Sequence, residues 1–203
     1  MFRSLSKLSL LALVIVGVAG LTQAQVRNSP VLLVDSTLEQ CSADPSLLAY
    51  PCFRTIQEAV NGAANYTSSF ILILPTTEKY EGFSVSLGKL RSLLIQGFRG
   101  VPLIQGRISL DGSGDWIVVL KNLSLQGQGP LITLGLTGAP IFTRLEGIFA
   151  NAQGTAVSVR EAVVLEIVGS VFEGDGSGCG LELGGGSISV SDTAISSFEK
   201  GIC

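Results

Sequence analysis

From Phe70 onward the chain alternates short apolar runs with clusters of turn-forming residues. FILILP, FSVSL, LRSLLIQGF, PLIQGRISL, WIVVLKNLSL, PLITLGL, IFTRLEGIF, AVSVR, VVLEIVGSVF, CGLEL and SISVSDTAI read as strands, separated by breaks such as LDGSGD, GQGP, EGDGSG and GGG. Within them five aliphatic positions, Ile95, Leu120, Leu145, Ile167 and Val190, are each followed two places on by Gly97, Asn122, Gly147, Gly169 and Asp192. Those turn positions are spaced by 25, 25, 22 and 23 residues. Two places upstream of the aliphatic column stand Leu93, Val118, Thr143, Leu165 and Ile188, apolar except for Thr143. Alternate residues of a strand point to one face, and Gly, Asn and Asp tolerate the left-handed dihedrals of a tight bend. A beat of this length predicts a stacked solenoid of strands.

Ahead of the repeat, VLLVD at 31–35 predicts a strand and TIQEAVNGAA a short helix. Thr55 and Glu58 have the spacing of a capping box, and Ile56, Ala59, Val60 and Ala63 share one helical face. Such a helix is suited to plug the first coil, whose apolar interior would otherwise meet water. The pattern therefore predicts an all-β, right-handed parallel β-helix of about five coils with a short N-terminal capping helix.

The extreme N-terminus has a different character. Arg3 and Lys7 precede an apolar stretch from Leu8 to Leu21, and Thr22-Gln23-Ala24 ends it in the manner of a cleavage site. Residues 1–24 are expected to be an export signal and 25–203 one mature domain. The apolar stretch is short for a membrane anchor, the competing reading. Of 13 basic residues, loss of Arg3 and Lys7 leaves 11 against 16 acidic ones, a formal charge of −5 on the mature chain. That balance disfavours nucleic acid, acidic lipid and polyanionic polysaccharide as partners. The 25 glycines and only 14% charged residues suit a tightly coiled β structure.

Export gives the four cysteines an oxidising destination. Cys41 and Cys52 flank a loop containing Pro45 and Pro51, and Cys179 and Cys203 lie 24 residues apart, one turn of the repeat. Adjacent rungs are about 5 Å apart, which suits a bridge. The expected pairing is Cys41–Cys52 and Cys179–Cys203, the alternative being buried free thiols. With no histidine and no close cysteine pair, neither a metal nor another cofactor is expected.

The segment FRTIQEAVNGAANYTSSFILILPTTEKYEGFSVSLGKLRSLLIQGF resembles the opening of pectin lyase-like right-handed parallel β-helix proteins. In that superfamily a capping helix of the TIQEAV kind leads to a strand ending in Pro, a Tyr-containing turn and a first full coil. Pro75, Tyr80 and Gly97 stand in those places. The resemblance implies the fold across most of the mature chain and selects no reaction. The QAVAL, DFIFG and LGRPW motifs of pectinesterases are absent, as are the NTD, GHG and RIK motifs of polygalacturonase-like hydrolases. No Ca²⁺-binding carboxylate cluster of the pectate lyase kind recurs at one-coil spacing.

Several residues are candidates for chemistry. Asp111 and Asp115 in LDGSGDW have the makings of an acid/base pair or part of a Ca²⁺ loop, but the two Gly and the Ser between them favour an ordinary exposed turn. Glu173 and Asp175 in FEGDGSG carry the same two readings. Trp116, the single tryptophan, is a candidate sugar-stacking platform beside Asp115 or the buried start of a strand. Arg144, Glu146, Arg160, Glu161 and Glu166 are expected on exposed strand faces, paired across rungs or simply solvated. Of the sequons Asn65-Tyr66-Thr67 and Asn122-Leu123-Ser124, the first sits in a polar loop and is expected to be glycosylated, the second in the turn column.

The expected function is thus a secreted or cell-surface, non-enzymatic protein that binds carbohydrate or a protein partner along its elongated face. The alternative is a divergent or fragmentary polysaccharide lyase, esterase or hydrolase. FEKGIC ends where another strand is due, so the reading includes a truncated chain, closure by the Cys179–Cys203 bridge, or association through an open edge.

Overall fold

The computed structural model describes residues 29–86, 88–137, 141–160 and 163–203. The expected export signal at residues 1–24 lies outside them. Among the described residues no helix is long and apolar enough to cross a membrane.

The chain forms a parallel β-solenoid of about five turns. Each turn passes through three sheets. The first stacks Val31–Val34, Ser68–Ile73, Ser92–Gly97, the opening halves of Trp116–Gln128 and Ile141–Gln153, then Val163–Val168 and Gly186–Ser191. The second takes the starts of Tyr80–Ser86 and Leu103–Ser113, the closing halves of Trp116–Gln128 and Ile141–Gln153, Val171–Glu173 and Ala194–Ser196. The third takes the ends of Tyr80–Ser86 and Leu103–Ser113, then Ile132–Thr137, Val157–Val159, Cys179–Leu183 and Lys200–Ile202.

Period-two alternation makes one face of every strand a core face. Ile71, Ile95, Leu120, Leu145, Ile167 and Val190 stack from the first sheet, as do Leu93, Val118, Thr143, Leu165 and Ile188. Tyr80, Ile104, Leu125, Ala150, Phe172 and Ile195 face them from the second. Phe83, Ile108, Ile132, Val157 and Leu181 close the triangle from the third. Most are buried in one continuous cluster. Thr143 is fully buried there with no hydrogen-bond partner for its Oγ1, and Ser69, in register with Leu93 at the start of the same column, is buried with an unpartnered Oγ as well.

The turn column needs one correction. Asn122, Gly147, Gly169 and Asp192 have left-handed φ of 52°, 61°, 57° and 50°. Gly97 does not, and in that turn the left-handed residue is Arg99, at φ 66°. A single residue links the first and second sheets at Asn122 and Gly147, whereas residues 98–102 intervene after Gly97, so the bend falls later. Gly97 is required for another reason: a Cβ there would strike the Asn122 carbonyl oxygen and Pro102.

At the N-terminal end a helix, Ile56–Ala63, has the expected capping box, Thr55 Oγ1 accepting from the Glu58 amide and Glu58 accepting from the Thr55 amide. Its buried Ile56, Ala59, Val60 and Ala63 pack into the main cluster and close that end of the solenoid. The preceding loop does something the apolar pattern did not announce. Asp35 is fully buried and accepts from the amides of Thr37, Gln40 and Cys41 and from the Thr37 hydroxyl, at 2.8 to 3.2 Å. This anchors a one-turn helix, Glu39–Ala43, and the loop packs Cys41 and Leu47 over Leu33, Leu72 and Leu74, a second, smaller core outside the first sheet.

Both disulfides pair as expected. Cys41–Cys52 closes that loop, and Cys179–Cys203 ties the last two rungs, with Cα atoms 6.5 Å and 6.2 Å apart respectively. Two disulfides are the signature of an oxidising, extracellular-type environment. The last described rung leaves Val190 and Ile202 39% and 57% exposed.

Candidate binding groove on the second sheet

The outer face of the second sheet carries two columns that run along the solenoid axis. Leu103, Ser124, Phe149, Val171 and Ala194 are in register on successive rungs. Two residues further on, Glu81, Gln105, Gln126, Asn151, Glu173 and Ser196 form the second column. Strands in a ladder are about 4.8 Å apart, so each column repeats at that interval. Between the columns the residues turn inward, and Leu125 and Ala150 form the floor. The result is an open groove of about 300 Å³ spanning four rungs, from Leu103 to Glu173.

Its outward residues are of two kinds, apolar and polar. Phe149 and Val171 are 48% and 38% exposed on adjacent rungs, where water would favour polar residues. Beside them the side chains of Gln105, Gln126, Asn151 and Glu173 make no hydrogen bond to other described residues, while the backbone beneath is paired into the ladder. The groove therefore offers an apolar strip next to a strip of uncommitted amides. No lysine or arginine stands in either column, and carboxylates occupy the second at Glu81 and Glu173.

The candidate acids are distributed rather than gathered. Asp111 is on the third sheet, where its Oδ2 accepts from the Ser109 hydroxyl at 2.7 Å and its register partners are Ser86 and Gly135. Asp115 lies in the exposed bend after that strand. Glu173 ends the groove on the second sheet. Asp175, in the turn just beyond, is engaged internally: its Oδ1 accepts from the Ser177 hydroxyl at 2.6 Å and from the amides of Ser177 and Gly154. The Ser177 hydroxyl above all, with those amides, holds the Asp175 carboxyl below its ordinary range. Among the described residues no group of three or more acidic or cysteine side chains is arranged to hold a metal.

Trp116 is in the core, 3% exposed, with the Arg91 guanidinium 5.4 Å from the ring centroid. As the first residue of its strand it falls in the inward phase, so it offers no surface for stacking. On the second sheet Phe149 is the exposed aromatic instead. The alternation in LEGIFANAQ was enough to place it: once Gly147 makes the bend, Ile148, Ala150 and Ala152 turn inward and Phe149, Asn151 and Gln153 outward.

The charged residues expected on strand faces divide. Arg144, Glu146 and Glu166 join Lys121 in a ladder outside the first sheet, with Lys121–Glu146, Arg144–Glu146 and Arg144–Glu166 at 2.7, 3.0 and 2.7 Å. Burial disfavours the Glu146 anion, but the Lys121 ammonium and Arg144 guanidinium outweigh it and hold the carboxyl below its usual range. Arg160 is exposed, and Glu161 is outside the described residues. This ladder is far from apolar and fully self-paired, which marks it as structural.

No protein-family model matches the chain, and neither the curated proteins nor the solved structures compared with it are similar to it.

Proposed function

We propose that this is an exported, non-catalytic β-helix protein of the pectin lyase-like type that holds extracellular carbohydrate against the outer face of its second sheet. The observation that carries the reading is the exposed Phe149–Val171 strip beside the unengaged amides of Gln126 and Asn151. Apolar area suits the C–H faces of sugars, and side-chain amides, donor and acceptor together, suit their hydroxyls. The pectin lyase-like assignment draws support from the opening coil. The helix cap is in place, and the Tyr80 hydroxyl donates to the Leu74 carbonyl at 2.6 Å, just ahead of Pro75. Export draws support from the two disulfides and the character of residues 1–24.

The test is retention of the purified mature chain on a panel of immobilised polysaccharides, with Phe149→Ala as the comparison. Retention lost in the variant supports the reading; equal retention of both places the ligand elsewhere. Assaying the same panel for released reducing or unsaturated sugars tests the enzymatic alternative, since turnover by the pure protein would overturn a purely binding role.

A further inference from the structure

Resting on that reading, we infer that the groove accepts a neutral, linear glycan lying along the solenoid axis, with about one sugar unit per rung and about four units in contact. Three features of the wall carry this. Both columns run across the strands, so only a ligand parallel to the axis meets the apolar strip and the amide strip along its whole length. The strips repeat every rung, about 4.8 Å. A pyranose with its bridging oxygen in an extended chain has a comparable length, so successive rings meet equivalent side chains. Leu103, Phe149 and Val171 supply apolar contacts to the ring faces with the Ser124 hydroxyl between them, and Gln126 and Asn151 address the hydroxyl edges.

Charge selects the class of glycan. The hydrogen-bonding column holds Glu81 and Glu173 and lacks any cation, so a uronate or sulfated chain would set its anions beside these carboxylates without a counter-charge. A peptide is disfavoured on different grounds. Extended peptides bind sheets by adding to an open edge, and along this face the backbone groups already pair with neighbouring rungs. A peptide would have only side-chain contacts, with nothing to match its own amides.

The experiment is titration of the full mature chain with linear β-1,4-linked gluco-, manno- and xylo-oligosaccharides of two to six units, alongside oligogalacturonates of equal length, by calorimetry. At least one neutral series should bind, with affinity rising to about four units and then levelling. Phe149→Ala and Asn151→Ala should each weaken it about tenfold. Gln153→Ala, outward on the same strand but beyond the groove lining, should not. Circular dichroism of each variant checks that it is folded. Oligogalacturonate binding as tight as the neutral series, and equally lost in Phe149→Ala, overturns the neutral ligand while leaving the groove as a carbohydrate site. Affinity independent of length overturns the alignment with the rungs. Neutral binding unaffected by Phe149→Ala, or no binding in any series, overturns this inference and the groove reading together.

Discussion

Thr143 interrupts a column that is otherwise aliphatic from Leu93 to Ile188, and its removal tests whether that stretch is as dry as its geometry implies. In register it lies between Val118 and Leu165, fully buried, with Oγ1 unpartnered. Burying a hydroxyl without a hydrogen bond costs about 1–3 kcal/mol, and replacing it by a methyl of nearly the same volume removes that cost while extending apolar contact. Thr143→Val should therefore stabilise the protein by about 1–2 kcal/mol. With a urea m-value of about 1–3 kcal/mol per M, the unfolding midpoint should rise by roughly 0.3–2 M at unchanged slope. The reciprocal change, Val118→Thr, places a hydroxyl one rung earlier in the same column and should lower the midpoint by a similar amount. Urea unfolding followed by far-UV circular dichroism, with the disulfides intact, reads both. A Thr143→Val midpoint equal to or below that of the parent would refute the reasoning, because it would mean that the hydroxyl is satisfied in solution.

Phe172 is fully buried on the second sheet beneath Val171 and Glu173, and Phe172→Ala should cost about 3–5 kcal/mol. Since each rung contacts only its neighbours, hydrogen exchange should accelerate in residues 163–203 far more than in residues 68–97; uniform acceleration would contradict a solenoid unfolding rung by rung. For Asp35, burial disfavours the charge, but the Thr37 hydroxyl and the amides of Cys41, Thr37 and Gln40 outweigh it and depress the folded pKa below its ordinary 3.8. A depressed carboxylate stabilises fully above its unfolded pKa, and that stability is lost as pH falls through the folded value. Asp35→Asn should thus cost about 1–3 kcal/mol at pH 7, and its deficit should shrink in unfolding curves taken below about pH 4. Glycopeptide mapping after expression in a glycosylating host should find Asn65, which is exposed, modified, and Asn122 largely unmodified. Asn122 is less exposed, sits at φ 52° and packs its Oδ1 against Gly147.

Much of the scaffold was legible from residue spacing because a solenoid is close to one-dimensional. Neighbouring rungs are neighbouring repeats, so the interval between Leu120 and Leu145 is at once a sequence period and a contact, and the Cys179–Cys203 bridge follows from the same arithmetic. The capping helix was legible for a local reason: Thr55 and Glu58 satisfy each other three residues apart, with no help from the rest of the chain. Features that depend on where a bend falls were less so. Gly97 matched its column by spacing, yet the five residues that follow it moved the left-handed bend to Arg99. Trp116 had two readings until strand phase turned its ring inward.

The groove belongs wholly to the tertiary structure. Sequence by itself determined that strands would stack with one apolar face inward, because period-two alternation leaves no other way to bury so many aliphatic residues. It did not determine which outward residues on different rungs become one surface. Phe149 and Val171 are 22 residues apart and became neighbours only through register. Likewise Gln105, Gln126 and Asn151 are isolated polar residues until three successive turns place them in line. Burial is a property each residue largely announces by its own chemistry, whereas a binding surface is a relation among residues. That relation is settled by the length of each bend.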